Sequence, residues 1–365
     1  MKMKNCAIIG AGNGGQSVAC YLAIKGCNVR IFDISKETIN ALNQKGFLEL
    51  EGVIEGKATI EMATTDISKA IENAEVIFVI LPSIFHKSIA EKMAHYLKDG
   101  QIVVLNPNAT LGPVEFKKTL DDYGCEADYV IAAVCNLIFA CRLVEPGKIH
   151  IYGKKKYLSV AAYPSSENSI VEEKIGEYFP EYKFVKDIVH VGLDNMNAFV
   201  HPAPTILNTG RIESGVPFQY YCDGMTPYVA HYVEQLEKER LAIAKAYDVQ
   251  IQTIPQLYHM MYETKGDTIE EVVRNCTGYF GVMAADSVDT RYVLEDVPCS
   301  LVALQTLANL AGIEAPAINT MIKLSQLLFE DKISEGRTIK NLGLENKTKE
   351  EFIKMCRSNC QNILI

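Results

Sequence analysis

The sequence predicts an α/β domain built on a doubly wound sheet, a Rossmann-type arrangement, followed by a second domain that is mostly α-helical. Three observations carry this prediction. Short β-rich runs alternate with helical stretches through the first half of the chain. A glycine-rich turn stands between the first strand and the first helix. After about Val191 the apolar residues change to helical spacing. At 365 residues the chain is long for one ordinary domain and comfortable for two. The expected division is 1–191 and 192–365, with a cleft between the domains as the place for a ligand.

Cys6–Ile9 opens the first domain as a strand. Like Asn28–Phe32, Glu75–Leu81, Gln101–Leu105 and Tyr129–Val134, it is apolar at successive positions, the pattern of strands buried on both faces of a parallel sheet. Residues 13–25, 35–44 and 84–97 read as the helices between them. Lys148–Tyr152, Leu158–Tyr163 and Tyr182–His190 read as further strands closing that domain. In the second half, Val229, Val233, Leu236, Ile243 and Tyr247 recur at helical spacing. Residues 299–311 and 317–329 repeat the pattern on either side of Gly312 and Pro316.

Charge and composition exclude several classes of function. The net charge is −9 and no basic run exceeds Lys154, Lys155 and Lys156, which argues against nucleic acid or a membrane surface as partner. No apolar run reaches the roughly 18 residues of a membrane span. A first strand near Asn5 leaves no room for a signal peptide. The eleven cysteines are scattered without a CxxC pair, so neither a disulfide framework nor a zinc site is expected, and no metal. A cytoplasmic protein with reduced thiols is the expectation.

Gly10, Gly12 and Gly15 form GxGxxG directly after a strand and before a helix. The first glycine allows the tight turn, the second lets the backbone approach a pyrophosphate, and the third lets the helix pack on the sheet. The N–H groups at the helix start then face the phosphate charge. Asn13 and Gly14 complete the turn. Asp33 ends the second strand, placed to bond a ribose hydroxyl pair. A carboxylate there repels a 2′-phosphate, which favours NAD(H); Lys36 close by leaves NADP(H) open. Pro82 lies where the carboxyl end of a strand faces a dinucleotide. Ser83 and His86 follow on a new helix start, where His86 reads as a surface or helix-face residue. Asn106, Pro107 and Asn108 close the next strand at the same edge.

A second constellation lies in the helical half. His201 precedes Pro202, which disfavours helix at the histidine and sets its ring at an irregular spot. Asn208, Thr209 and Gly210 follow. Arg291, Glu295 and Asp296 stand just before Pro298 and an apolar helix. A histidine trades protons near neutral pH, an aspartate holds its ring and steadies the charged form, and an arginine clamps a carboxylate. Beside a nicotinamide, that set suits reduction of a carbonyl or imine on an acid substrate. As structural residues, the same side chains would be a satisfied core histidine, a cap and a solvated charge. Tyr220, Tyr221, Asp223 and Tyr262 are equally readable as pocket lining or as core and surface.

The chain resembles the octopine/nopaline (opine) dehydrogenase family over nearly its whole length. The residues that carry the resemblance are GAGNGG at 10–15, VCNLIFACR at 134–142, NAFVHPAPTILNTGRIE at 197–213 and RYVLEDVP at 291–298. The resemblance implies a nucleotide domain followed by a helical catalytic domain. It implies an enzyme that joins the amine of an amino acid to a 2-oxo acid, often pyruvate, and reduces the imine with NADH or NADPH. It implies that His201 is the catalytic histidine, Asp296 its partner and Arg291 the arginine facing the acid substrates. Asn208 and Arg142 fall in matching motifs as substrate-side residues. Helical domains often pair, so a homodimer stays open. Two rival readings are a 2-hydroxyacid or ketopantoate-type reductase and a dinucleotide sensor without catalysis. The first uses a lysine at the head of the second domain, whereas Asn195–Gly210 contains none. The second needs no His–Asp–Arg set.

Overall fold

The computed structural model describes residues 4–358. They divide into two compact units. One runs to Asn108 and takes in Gly112–Ile188 and the described chain from Met355; the other holds Ala109–Leu111 and Val189–Lys354.

The first unit carries the strands. In chain order these are β1 (Asn5–Ile9), β2 (Asn28–Phe32), β3 (Leu48–Gly52), β4 (Gly56–Ala58), β5 (Met62–Thr64) and β6 (Val76–Val79). Then follow β7 (Ile102–Leu105), β8 (Val130–Val134), β9 (Phe139–Glu145), β10 (Lys148–Lys154), β11 (Leu158–Tyr163) and β12 (Tyr182–Phe184). The main sheet has the order β12-β11-β8-β7-β6-β1-β2-β5. Its pairs are parallel except β8 with β11. The five expected central strands are β1, β2, β6, β7 and β8, and β6 and β7 are buried at every position. That explains their continuous apolar runs: helices cover both faces, so neither face needs polar residues. On one face Ile9, Ile77, Val79 and Leu105 pack with Ile89, Met93 and Phe116.

The helix Asn13–Ile24 connects β1 to β2. Lys36–Lys45 follows β2, started by Ser35, whose side chain accepts from Thr38 N, and stopped by Gly46 at φ +74°. His86–Met93 follows β6 after the short turn Ser83–Phe85.

Two expectations are corrected. Lys148–Tyr152 forms β10, but β10 belongs to a separate four-stranded sheet of order β4-β3-β10-β9 and does not extend the main one. Of its other members, β3 is buried only at alternate positions and β9 is fully buried only at Phe139, so neither shows as an apolar run. The strand expected over Tyr182–His190 ends at Phe184, and Ile188–Leu193 is a helix. Its β-branched residues read equally well as strand, because a short buried run carries no decisive period.

The second unit is helical. Pro227–Ala246 is its longest helix, begun by a proline at the first turn, where the missing N–H costs nothing. Glu239 on this helix accepts from Ala317 N (2.6 Å) and Ile318 N (2.8 Å), which caps Pro316–Phe329. Arg240, fully buried, is paired with Glu237 at 2.8 Å and donates to Leu193 O and Gln252 O. Burial of that guanidinium is tolerated because each direction in which it donates meets an acceptor.

Candidate active site

The glycine turn of the first unit shows what each glycine does. Gly10 has φ +108°, and a Cβ there would stand 2.5 Å from Ile80 O. A Cβ on Gly15 would stand 1.8 Å from Gly10 O. Gly15 therefore packs the helix first against the turn itself, rather than only on the sheet. A Cβ on Gly14 would press on Leu137 Cδ2 at 2.8 Å. At Gly12 a Cβ would meet nothing within 4 Å. Gly10 and Gly15 thus shape the turn, whereas Gly12 leaves open the space before the first helical turn. The N–H groups of that turn have no acceptor within the helix, so the opening suits an anion.

Asp33 binds this turn from the end of β2. Its Oδ2 accepts from Ala11 N at 2.7 Å and its Oδ1 from Ser35 N at 2.9 Å. A carboxylate has about four acceptor sites, so it keeps capacity for a hydroxyl pair. Asn13 is used internally: its Oδ1 accepts from Leu143 N at 2.9 Å. Gln16, which the glycine spacing gives no reason to single out, is fully buried. It donates to Ala11 O at 2.7 Å and accepts from Gly147 N at 2.8 Å. Pro82 ends the β6 segment and starts the turn Ser83–Phe85. His86 is fully buried with its ring edge-on to Phe116 at 6.4 Å, so it is a core residue and not a surface one.

In the second unit, His201 sits at the junction of the helices Asn197–Val200 and Pro202–Leu207 with φ −107° and ψ −64°. Pro202 forces the irregularity, yet the histidine stays in the helical region, and the break appears as a junction between two short helices. Its Nδ1 lies 2.7 Å from Asp296 Oδ2, and both side chains are nearly inaccessible. Its Nε2 lies 2.9 Å from the Tyr221 hydroxyl. The ring of Tyr292 stacks on the imidazole with centroids 4.0 Å apart. The His201 carbonyl accepts from Tyr220 at 2.7 Å and from Thr205 at 2.8 Å. Asp296 stands at the entry to Val297–Leu301, a π-helical turn, a form that recurs at functional sites. Fully buried Arg337 supports that turn by donating to Cys299 O and Thr110 O.

Burial pushes the Tyr220, Tyr221, Tyr258 and Tyr279 phenols well above their usual range, with neighbouring phenolic charge adding to it at each. They are neutral hydrogen-bonding groups around the histidine. Tyr292 and Thr205 are the members that sequence reading passed over. One signal existed for Tyr292: it is four residues before Asp296, on the same side of a helical turn.

Arg291 is exposed, with Nε 4.0 Å from Glu295 Oε2. Arg142 belongs to the first unit and is exposed on β9, opposite His150. Asn208 works as a staple: its Nδ2 donates to Pro204 O at 2.8 Å and Gly224 O at 3.0 Å, tying Pro202–Leu207 to Tyr220–Gly224. Replacing Asn208 with Ala is expected to destabilise the unit by about 1–3 kcal/mol, with little change in substrate KM. Thermal unfolding beside steady-state kinetics checks this; a KM effect without a stability effect would assign Asn208 to the ligand.

The family model for the NAD/NADP octopine/nopaline dehydrogenase α-helical domain matches residues 184–329. That for the NAD-dependent glycerol-3-phosphate dehydrogenase N-terminus matches residues 5–108. An opine dehydrogenase of Arthrobacter sp. (strain 1C) is 37% identical over 350 residues, 95% of this chain and 97% of that one. Octopine dehydrogenase solved with NADH and L-arginine superposes with a TM-score of 0.78 at 20% identity, covering 98% of this chain and 99% of that one. Yersinopine dehydrogenase solved with NADP+ gives a TM-score of 0.73 at 13% identity, covering 97% of each chain.

Proposed function

The chain belongs to the octopine/nopaline (opine) dehydrogenase family, and we propose that His201 and Asp296 carry the proton transfers of its reaction. The protein is an NAD(P)H-dependent oxidoreductase acting on the CH–NH group. An amino acid and a 2-oxo acid condense to an imine, whose reduction gives an N-(carboxyalkyl)amino acid. The observation that supports the site assignment is the buried 2.7 Å bond between His201 Nδ1 and Asp296.

An amino acid arrives near neutral pH as an ammonium, which is no nucleophile. With its Nδ1–H given to Asp296, neutral His201 has a basic Nε2 that accepts one proton from that ammonium. The freed amine attacks the carbonyl carbon: a C–N bond forms as the C=O π bond breaks, and a proton passes from that nitrogen to the oxygen to give the carbinolamine. The imidazolium, steadied by Asp296, returns the proton to the departing hydroxyl, which leaves as water. The proton taken is the proton returned, so the histidine ends neutral. When bound, the dinucleotide supplies the hydride that turns the iminium carbon into a C–H centre.

The turn Gly10–Gly15 would hold the pyrophosphate and Asp33 the ribose hydroxyls. The opening at Gly12 and the spare acceptor capacity of Asp33 support this. Arg291 and Arg142 are the proposed carboxylate receptors, because both guanidiniums are exposed. Octopine dehydrogenase has been solved with L-arginine and with pyruvate, which supports amino acid and 2-oxo acid as the substrate classes here. A cytoplasmic place is supported by the cysteines: among the described residues none is disulfide-bonded. Among the same residues no helix is long and apolar enough to cross a membrane.

The test is oxidation of NADH and NADPH with pyruvate, with and without the common amino acids, followed by mass analysis. Oxidation that needs both partners, giving a product of amine plus acid minus water plus two hydrogens, is expected. Oxidation by the oxo acid alone would move the enzyme to the hydroxyacid reductases. We further expect NADH to be preferred, because the Asp33 carboxylate repels a 2′-phosphate. Asp33→Ser should shift the NADPH-to-NADH ratio of kcat/KM by about tenfold, roughly 1.4 kcal/mol, toward NADPH. An unchanged ratio would remove Asp33 from the ribose site.

A further inference from the structure

We propose that Tyr221 is a proton relay, the group through which His201 exchanges protons with the substrates; this rests on the reading of His201 and Asp296 given above. The imidazole is enclosed on every useful side. Nδ1 is bonded to Asp296, Nε2 faces the Tyr221 hydroxyl at 2.9 Å, and Tyr292 covers a ring face at 4.0 Å. A substrate can reach Nε2 directly only if Tyr221 leaves.

The surroundings of Tyr221 oppose that departure. Its ring stacks on Tyr279 with centroids 3.8 Å apart and planes at 15°, and meets Tyr220 edge-on at 4.8 Å. Its helix, Tyr220–Gly224, is held at both ends: Tyr220 N donates to Val282 O at 2.8 Å, and Gly224 O accepts from Asn208. Swinging the ring out would break two aromatic contacts and would strand the imidazole nitrogen. Keeping the ring and passing the proton through its oxygen breaks nothing.

The hydrogen-bond order suits a relay. The Tyr221 oxygen is 3.5 Å from the hydroxyl of Tyr292, which is only partly buried. Asp296, His201, Tyr221 and Tyr292 therefore form a series of polar contacts from a buried carboxylate to a half-buried tyrosine. The titratable groups facing the Tyr221 ring and hydroxyl are His201, Tyr220, Tyr258, Tyr279 and Tyr292. Burial keeps Tyr221 protonated at neutral pH, so its oxygen both donates and accepts.

When the carbinolamine loses water, the Tyr221 O–H bond breaks as the proton moves to the leaving hydroxyl. The Nε2–H bond of the imidazolium breaks in the same passage, and its proton restores the phenol. When the ammonium is deprotonated, the same bonds form and break in reverse. Tyr221 ends each passage unchanged, and the net transfer is one proton between His201 and substrate.

Tyr221→Phe keeps the stacked ring and removes the hydroxyl. Its kcat is expected to fall about a hundredfold or more, with dinucleotide KM and unfolding temperature close to wild type. The solvent-isotope proton inventory should change from curved, for two protons in flight, to linear. Tyr221→Phe with kcat within about threefold of wild type, beside an inactive His201→Gln, would overturn the relay and leave Nε2 acting directly. An active His201→Gln would instead sink the histidine assignment itself. Should Tyr221→Phe not fold, 3-fluorotyrosine at 221 keeps ring and hydroxyl but acidifies the latter. The relay then changes kcat together with its solvent isotope effect, and both unchanged from wild type overturn it.

Discussion

Replacing His201 with Ala is expected to lower kcat by about a thousandfold or more, while the dinucleotide still binds. Two steps lose their proton carrier at once: release of the amine from its ammonium and departure of the hydroxyl. The loss should fall on kcat and kcat/KM together, since the proton is moving only in the transition states. Asp296→Asn is expected to do nearly as much damage with smaller structural change. An amide that turns its NH₂ toward Nδ1 makes that nitrogen the acceptor, so Nε2 carries the hydrogen and ceases to be basic. The 2.7 Å contact would persist with the wrong tautomer. Steady-state kinetics on both variants, with dinucleotide binding followed by fluorescence, is the check. Near-normal turnover in His201→Ala would falsify the assignment.

Gly15→Ala is expected to abolish saturable dinucleotide binding. The added methyl would need to stand 1.8 Å from Gly10 O, and no side-chain rotation relieves a clash between Cβ and backbone. Either the helix start or the turn must move, and Gly10 is already fixed at φ +108° against Ile80 O. Overpacking of this kind costs about 1–3 kcal/mol of stability, and the displaced turn no longer presents its N–H groups to the pyrophosphate. Gly12→Ala is the contrasting variant, because its methyl meets no protein atom within 4 Å. It should fold like wild type and lose affinity only through crowding of the phosphate. Isothermal titration with NADH and thermal unfolding of both variants separate these effects. A Gly15→Ala protein that binds NADH normally would remove the turn from the nucleotide site.

The two halves of the molecule were legible to different degrees. Gly10, Gly12, Gly15 and Asp33 could be read from sequence because their roles are local: a turn, a helix start and a strand end lie within a short stretch. His201 and Asp296 meet although they are 95 residues apart, which no periodicity reports; only the chemistry of the pair and the family resemblance brought them together. Tyr221 and Tyr292 were harder, since an aromatic residue on a helix reads the same whether it packs a core or flanks a histidine. Asn208 shows the reverse. Its Nδ2 joins two helices, a use of which its motif gives no sign. The small second sheet is hard to read from sequence because β9 buries only Phe139 fully.

The bonds from Asn13 to Leu143 N and from Gln16 to Gly147 N have a practical bearing on engineering. Val144, Glu145 and Pro146 are exposed, and a solvent-facing hairpin of this sort is where a tag, a label-bearing insertion or a grafted loop would ordinarily be placed. Here the hairpin's backbone grips the opening turn of the helix Asn13–Ile24. Its length and register are thus part of the specification for the proposed nucleotide cradle, and lengthening it is expected to weaken NADH binding from a position that looks permissive.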